Sequence, residues 1–179
     1  MGGLDAIKFN NPEPGLFTYA QILHLLKIEF SRARRYQYPL AALLLQIDRL
    51  ENLKDLYGYR MRDTVQDQVV AVISQHSRAS DFLGKLGERL IMILPHTDGE
   101  GAQVIARRIQ DQLGRLTFEI DEREINITVS IGIAVMRDQS TIFFDALIQQ
   151  AESALLRVTE RGGNGILVYV PTDDPSRVP

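Results

Sequence analysis

Between Asp81 and Pro95 the chain reads DFLGKLGERLIMILP, two apolar runs joined by Gly87-Glu88-Arg89. Gly87 tolerates positive φ where side chains are strained, so the stretch predicts a β-hairpin with an acid beside a base at its tip. A carboxylate there could hold a metal or a substrate; an ordinary exposed turn uses the same residues. Arg-x-x-Asp occurs three times, as Arg60/Asp63, Arg78/Asp81 and Arg108/Asp111. Sixteen arginines and thirteen aspartates would give roughly one such pair by chance. The Arg60 and Arg108 pairs fall in helical stretches, where the i,i+3 spacing predicts solvated ion pairs. Arg107 and Arg108 together read equally well as a solvated helix face. His24, His76 and His96 share no pairing spacing, so no metal site is expected from them. Gly162-Gly163-Asn164-Gly165 has the composition of a phosphate loop, but after a helical stretch it reads as a helix stop.

The elements that must position these residues follow from periodicity. Thr18 offers an N-cap for a helix through about Tyr36, with Ile22, Leu25, Leu26 and Glu29/Phe30 on one stripe. YPLAALLLQID is a continuous apolar run suited to a central strand buried on both faces. LENLKDLYG predicts a short helix stopped at Gly58, and MRDTVQDQVVAVISQH a longer one with Val65, Val69, Val72 and Ile73 inward. Asp98 caps a helix whose apolar positions are Ala102, Ile105, Ala106, Ile109 and Leu113. A second hairpin turns at Asp121-Glu122, and a last long helix precedes a closing strand, ILVYV. The order predicts one central sheet with helices packed on it, an α/β or α+β domain. Residues 1–15 are expected to be a linker or N-terminal arm, 16–170 the domain, and 171–179 a disordered tail.

Composition narrows the function classes. The chain has 179 residues, 45% of them hydrophobic and 24% charged, which fits one domain with a full core. A formal net charge of -3 gives no basic field for nucleic acid. The absence of cysteine excludes disulfides, thiol nucleophiles and thiolate metal sites. No apolar run is long enough to span a bilayer and no signal-peptide pattern opens the sequence, so a soluble, cytoplasmic protein is expected.

Four stretches in order resemble a GGDEF domain, the diguanylate cyclase module: ARRYQYPLAALLLQIDRLENLKDLYGY, RASDFLGKLGERLIMILPHTD, ITVSIGIAV and AESALLRVTERGGNGILVY. The resemblance covers roughly residues 12–170. It implies a central, mostly antiparallel sheet flanked by helices, related to nucleotidyl cyclase palm folds. Active members join two GTP molecules into cyclic di-GMP, each GTP held by one protomer with two Mg²⁺.

Residue by residue, the resemblance implies a degenerate member. The family's Gly-Gly-Asp/Glu-Glu-Phe turn appears as Gly87-Glu88-Arg89-Leu90, one residue short, with Arg89 in place of the second acid. A lost residue in a tight hairpin changes register, and a cation at the tip opposes Mg²⁺. The strand motif Asp-Ile-Asp appears as Gln46-Ile47-Asp48, so the first metal carboxylate is a neutral amide. The guanine-contacting Asn is Lys54, although the companion Asp survives as Asp63; Asp48 and Asp63 also suit cap or surface roles. The triphosphate cations are matched by Thr159 and Gly163. Two-metal phosphoryl transfer needs these parts together, so no catalytic residue, no metal and no cofactor is expected.

The family's product-binding site (the I-site) is retained by position. Its Arg-x-x-Asp ends five residues before the turn, as Arg78 to Asp81 does before Gly87, and Arg108 falls on the second arginine. Arginine offers a donor fork to the O6/N7 edge of guanine or to phosphate, and Asp accepts from N1 and N2. The expected function is therefore a catalytically inactive cyclic di-GMP receptor, binding through Arg78, Asp81 and Arg108. The ligand could enter as an intercalated pair bridging a homodimer, with an effector protein or attached domain downstream. The rival readings are a nucleotide-independent interaction scaffold, a domain that binds GTP without turning it over, and residual cyclase activity.

Overall fold

The computed structural model describes residues 16–120, 122–136 and 143–171. The arm at 1–15, the turn residue Asp121 and all of the tail but Pro171 lie outside them. In chain order the elements are β1 (Leu16–Phe17), α1 (Tyr19–Tyr36), β2 (Leu40–Ile47), α2 (Leu50–Tyr57), α3 (Tyr59–Gln75), β3 (Phe82–Leu86), β4 (Arg89–Pro95), α4 (Gly99–Leu113), β5 (Thr117–Ile120), β6 (Arg123–Asn126), β7 (Val129–Met136), α5 (Phe144–Glu160) and β8 (Ile166–Val168).

Six strands form one sheet in the order β1-β3-β4-β2-β7-β8. Its centre is antiparallel, while β1 on β3 and β8 on β7 pair parallel at the edges. β2 is paired on both sides and its residues Leu40 to Leu45 are all buried, which is why that run carries no polar alternation. The pleat sends Ala41, Leu43, Leu45 and Ile47 to one face and Leu40, Ala42 and Leu44 to the other. The first face packs on α2, α3 and α4, the second on α1 and α5. Two expectations change. The second hairpin, β5–β6, forms its own two-stranded sheet instead of joining the central one, because β7 is already flanked by β2 and β8. On α3 the buried set is Val65, Val69, Val70 and Ile73, with Val72 only half-buried.

The caps lie where the side chains call for them. Thr18 accepts from Gln21 N, and the Gln21 side chain returns to Thr18 N at 2.9 Å, a capping box. Asp98 Oδ1 accepts from Gly101 N at 2.8 Å. α1 also buries a charge, Glu29, which accepts from Arg32 at 2.8 Å and from the Tyr38 hydroxyl at 3.0 Å. Burial and that bond push the Tyr38 phenol up to about 12, from 10.0.

Two glycines set how closely the layers approach. A Cβ on Gly132 of β7 would lie 2.2 Å from the Ala151 carbonyl oxygen and 2.5 Å from Leu155 N, so α5 rests on bare backbone. A Cβ on Gly84 of β3 would lie 2.6 Å from Ile22 Cβ of α1.

Gly132→Ala should cost about 3 kcal/mol or more in urea unfolding, since backbone must move to admit the methyl group. The Tyr38 bond gives a pH signature. With a raised folded pKa, its stabilisation is fully present below about pH 10 and lost as pH rises through about 12. Across that window the parent should lose more stability than Tyr38→Phe.

Candidate functional site

Arg78 and Asp81 close the loop between α3 and β3. Asp81 N donates to the Arg78 carbonyl at 3.0 Å, and Arg78 N donates to Asp81 Oδ2 at 2.8 Å. The carboxylate thus holds its own turn in shape, while Oδ1 is shielded from solvent and has no partner. Among the described residues the Arg78 guanidinium makes no ion pair, and the side chain is exposed. Arg108, on α4, donates from Nη2 to the His76 carbonyl at 2.8 Å, two residues before Arg78. The His76 ring is turned back on α3, its Nδ1 donating to the Val72 carbonyl at 2.9 Å. The three residues chosen from sequence therefore border one loop. Sequence gave no sign that a backbone carbonyl would hold Arg108 there. The helical Arg-x-x-Asp pairs do not form as expected: Asp63 pairs with Arg62 at 3.5 Å, not with Arg60, and Arg108 turns to His76, away from Asp111.

The far end of the hairpin carries the other candidates. β3 and β4 are joined by Gly87-Glu88, with Leu86 opposite Arg89 and Gly87 at φ 65. Glu88 is bonded to Arg62 of α3, and Arg89 pairs with Glu152 of α5 at 3.3 Å. The turn is exposed, as expected, and its two side chains reach helices on opposite faces of the sheet. Arg62 also approaches Glu51 at 3.6 Å and Asp63 at 3.5 Å, and its side chain is 17% exposed. Burial works against the Arg62 charge, but Glu88, Glu51 and Asp63 together hold the guanidinium above its ordinary pKa. Lys54, on α2, is bonded to Glu51; that bond lowers the Glu51 carboxyl and raises the Lys54 ammonium. Gln46, Arg49, Leu50, Glu51, Glu88 and Arg89 line a cleft of about 390 Å³ here.

Asp48 does structural work. It accepts from Thr128 Oγ1 and Ser130 Oγ, both at 2.7 Å, and from Asn164 N at 2.9 Å. One carboxylate thereby brackets the end of β2, the start of β7 and the loop after α5. Gly163, at φ 79, lies against it: a Cβ there would be 3.0 Å from Asp48 Oδ1. Thr159 donates to the Leu156 carbonyl within α5 at 2.8 Å. A wider cleft of about 730 Å³ opens beside this bracket, between Asn52, Tyr57, Asn126, Thr159 and Asn164. Neither cleft includes Arg78, Asp81 or Arg108.

The profile described as "Diguanylate cyclase, GGDEF domain" matches residues 15–165. The chain belongs to the GGDEF family. It is 26% identical over 93% of its length to diguanylate cyclase A of Treponema denticola, and 27% identical over 90% to the probable diguanylate cyclase DgcT of Escherichia coli. It spans about half of the first of these relatives and about a third of the second, 48% and 36%. The GGDEF domain of DgcB from Caulobacter crescentus, solved in complex with c-di-GMP, superposes with a TM-score of 0.82 at 19% identity. The match covers 87% of this chain and 90% of that one. The mixed α/β fold, a central sheet flanked by helices, is thus that of the family.

The Mg²⁺ that GGDEF catalysis implies can be tested against these residues. Mg²⁺ is held by one or two carboxylates together with substrate phosphates and water, so at least one free carboxylate must face the site. Gln46 offers a neutral amide, Glu88 is already bonded to a guanidinium, and Arg89 adds a second cation beside it. Among the described residues no group of three His, Asp or Glu side chains is placed to hold a metal ion. The residues at this end do not fit the ion.

The Asp48 bracket is open to test. Asp48→Asn should lower stability by about 1–3 kcal/mol, because at least one of three charge-assisted bonds loses its acceptor. Gly163→Arg should also destabilise by about 1 kcal/mol or more, through crowding of Asp48 and left-handed backbone.

Proposed function

We propose that this GGDEF domain has lost cyclic di-GMP synthesis and serves as a receptor for that nucleotide through Arg78, Asp81 and Arg108. The observation that carries the reading is the loop at the start of β3. Arg108 is anchored to the His76 carbonyl, beside an uncommitted Arg78 and a shielded Asp81 Oδ1 that lacks a donor. A shielded acceptor without a partner is costly, and the N1–H and N2–H edge of guanine offers donors to it once the loop opens enough to expose it. The two arginines supply forks for the O6/N7 edge and for phosphate. The patch is a surface and not a deep cleft, which suits a flat, two-faced ligand that a second copy of the domain could cover from the other side. Loss of synthesis is supported at the opposite end, where Gln46 replaces a carboxylate and both charges of the shortened turn are committed to helices. Retained GTP binding gains little support, since Asp63 is paired with Arg62.

Calorimetric titration should give a low-micromolar or tighter Kd for cyclic di-GMP, about -8 kcal/mol or beyond. Arg78→Ala should weaken binding by roughly tenfold or more, given about 1.5–3 kcal/mol for each charge-assisted bond. Asp81→Ala should in addition erode preference over the adenine analogue, and Arg108→Ala should act mainly on a ligand-bridged pair. Incubation with GTP and Mg²⁺ should yield no cyclic di-GMP above a blank, and Gln46→Asp alone should not change that. No binding at hundreds of micromolar, or an Arg78→Ala variant that binds like the parent, would sink the receptor and leave an interaction scaffold. Protein-dependent product would sink the loss of synthesis.

A further inference from the structure

The end of α3 is closed by side chains. Helix ends leave carbonyls without an amide partner, and α3 has neither a basic residue in its last turn nor a glycine after it. The His76 ring donates from Nδ1 to the Val72 carbonyl at 2.9 Å, and the Ser77 hydroxyl donates to the Ile73 carbonyl at 2.7 Å. The His76 carbonyl in turn accepts from Arg108 Nη2 at 2.8 Å. Arg108 belongs to α4, so the cation facing the negative end of α3 is supplied by a neighbouring helix. Its sequence neighbour Arg107 reaches back along α4 to Gln103 at 3.5 Å instead. An unanchored arginine samples many rotamers in water, so the crossing contact is what gives Arg108 a direction.

We infer that His76 is the positioning residue of the nucleotide site: its ring, with the Ser77 hydroxyl, fastens the end of α3, and its carbonyl then holds the Arg108 guanidinium beside the Arg78–Asp81 loop. What Arg108 binds rests on the receptor reading; the positioning itself is a property of the unliganded protein. One N–H of the guanidinium is used on the carbonyl, and the rest of the planar fork remains for a phosphate or a guanine edge. A site whose supporting groups let a contact drift by about 1 Å is present but loose. His76 is half-buried and spends its ring on the helix, so it acts on a ligand only through Arg108. The same backbone runs on through Ser77 into the loop, where Arg78 N donates to Asp81 Oδ2.

The test uses the whole chain, with nitrogen-15 NMR of the arginine side chains and calorimetric titration with cyclic di-GMP. In the unliganded parent the Arg108 Nη protons should give resolved, slowly rotating signals, assigned by their loss in Arg108→Ala. His76→Ala should collapse them, while His76→Asn, which keeps a donor where Nδ1 stands, should retain them. In titration His76→Ala should weaken the ligand-bridged pair about fivefold or more and leave the first ligand within about twofold. In an Arg108→Ala background His76→Ala should cost nothing further, since the two act as one unit. General damage to the loop would weaken the first ligand as well, and would do so in both backgrounds. Arg108 signals unchanged in His76→Ala, parent-like pairing in that variant, or additive losses in the double variant would each overturn the inference. Should His76→Ala fail to fold, Ser77→Ala loosens the same turn and must broaden the same signals; sharp signals there overturn the inference too. A parent that binds no cyclic di-GMP sinks the receptor reading alone, and the Arg108 signals then decide the positioning.

Discussion

β2 is hydrogen-bonded along both edges and covered on both faces, and the rest of the domain is arranged around that condition. Where it is paired on both sides such a strand carries no polar side chain, since a buried polar group without a partner is costly, and pairing with β4 ends at Leu45. The first departures are therefore Gln46 and Asp48, at its C-terminal end. Both helical layers must then approach closely, which explains bare backbone at Gly132 beneath α5 and at Gly84 beneath α1. Chemistry is confined to the ends of the strands.

The β3–β4 hairpin joins those two ends. Asp81 precedes β3 at the end where β2 begins, and Glu88 lies where β2 finishes. Five residues of strand place the two about 17 Å apart. The ends differ in how their charges are spent. At the turn, Glu88 and Arg89 are each matched by a helix on opposite faces of the sheet. At the loop, Arg78 is uncommitted, Arg108 uses one nitrogen on a carbonyl, and Asp81 keeps one oxygen without a donor. Charges satisfied within the chain contribute to the fold; those at the loop are not spent in that way.

Asp48 and Arg62 show how charged side chains at the strand ends hold separate segments together. The Asp48 carboxylate now ties three segments together, and Gly163 fits because no side chain stands between it and that carboxylate. A side chain at that position would disturb the bracket. Arg62 likewise binds the acids of α2, α3 and the turn into one cluster.

Much of this could be read from the residues alone. The caps at Thr18 and Asp98, the apolar stripes of α1 and α4, the buried run of β2 and the tight turn at Gly87 are local signals, set by spacing of two or three to four residues and by backbone preference. So were the neutral Gln46 and the Arg78/Asp81 pair, which are matters of residue type and position. Local signals do not say what lies across the fold. Nothing in the spacing of Arg62 and Glu88, or of Arg89 and Glu152, marks them as partners. The hydroxyls of Thr128 and Ser130 come to Asp48 only because β7 lies beside β2. The His76 carbonyl meets Arg108 only because α4 packs beside the end of α3. The separate β5–β6 sheet and the parallel edge strand β1 depend in the same way on which edges other strands had already taken. Sequence determined the elements and the chemical inventory, because those depend on neighbours in the chain. Tertiary structure decided which charges are spent and which remain, because a charge is satisfied by whatever packing brings within hydrogen-bond reach.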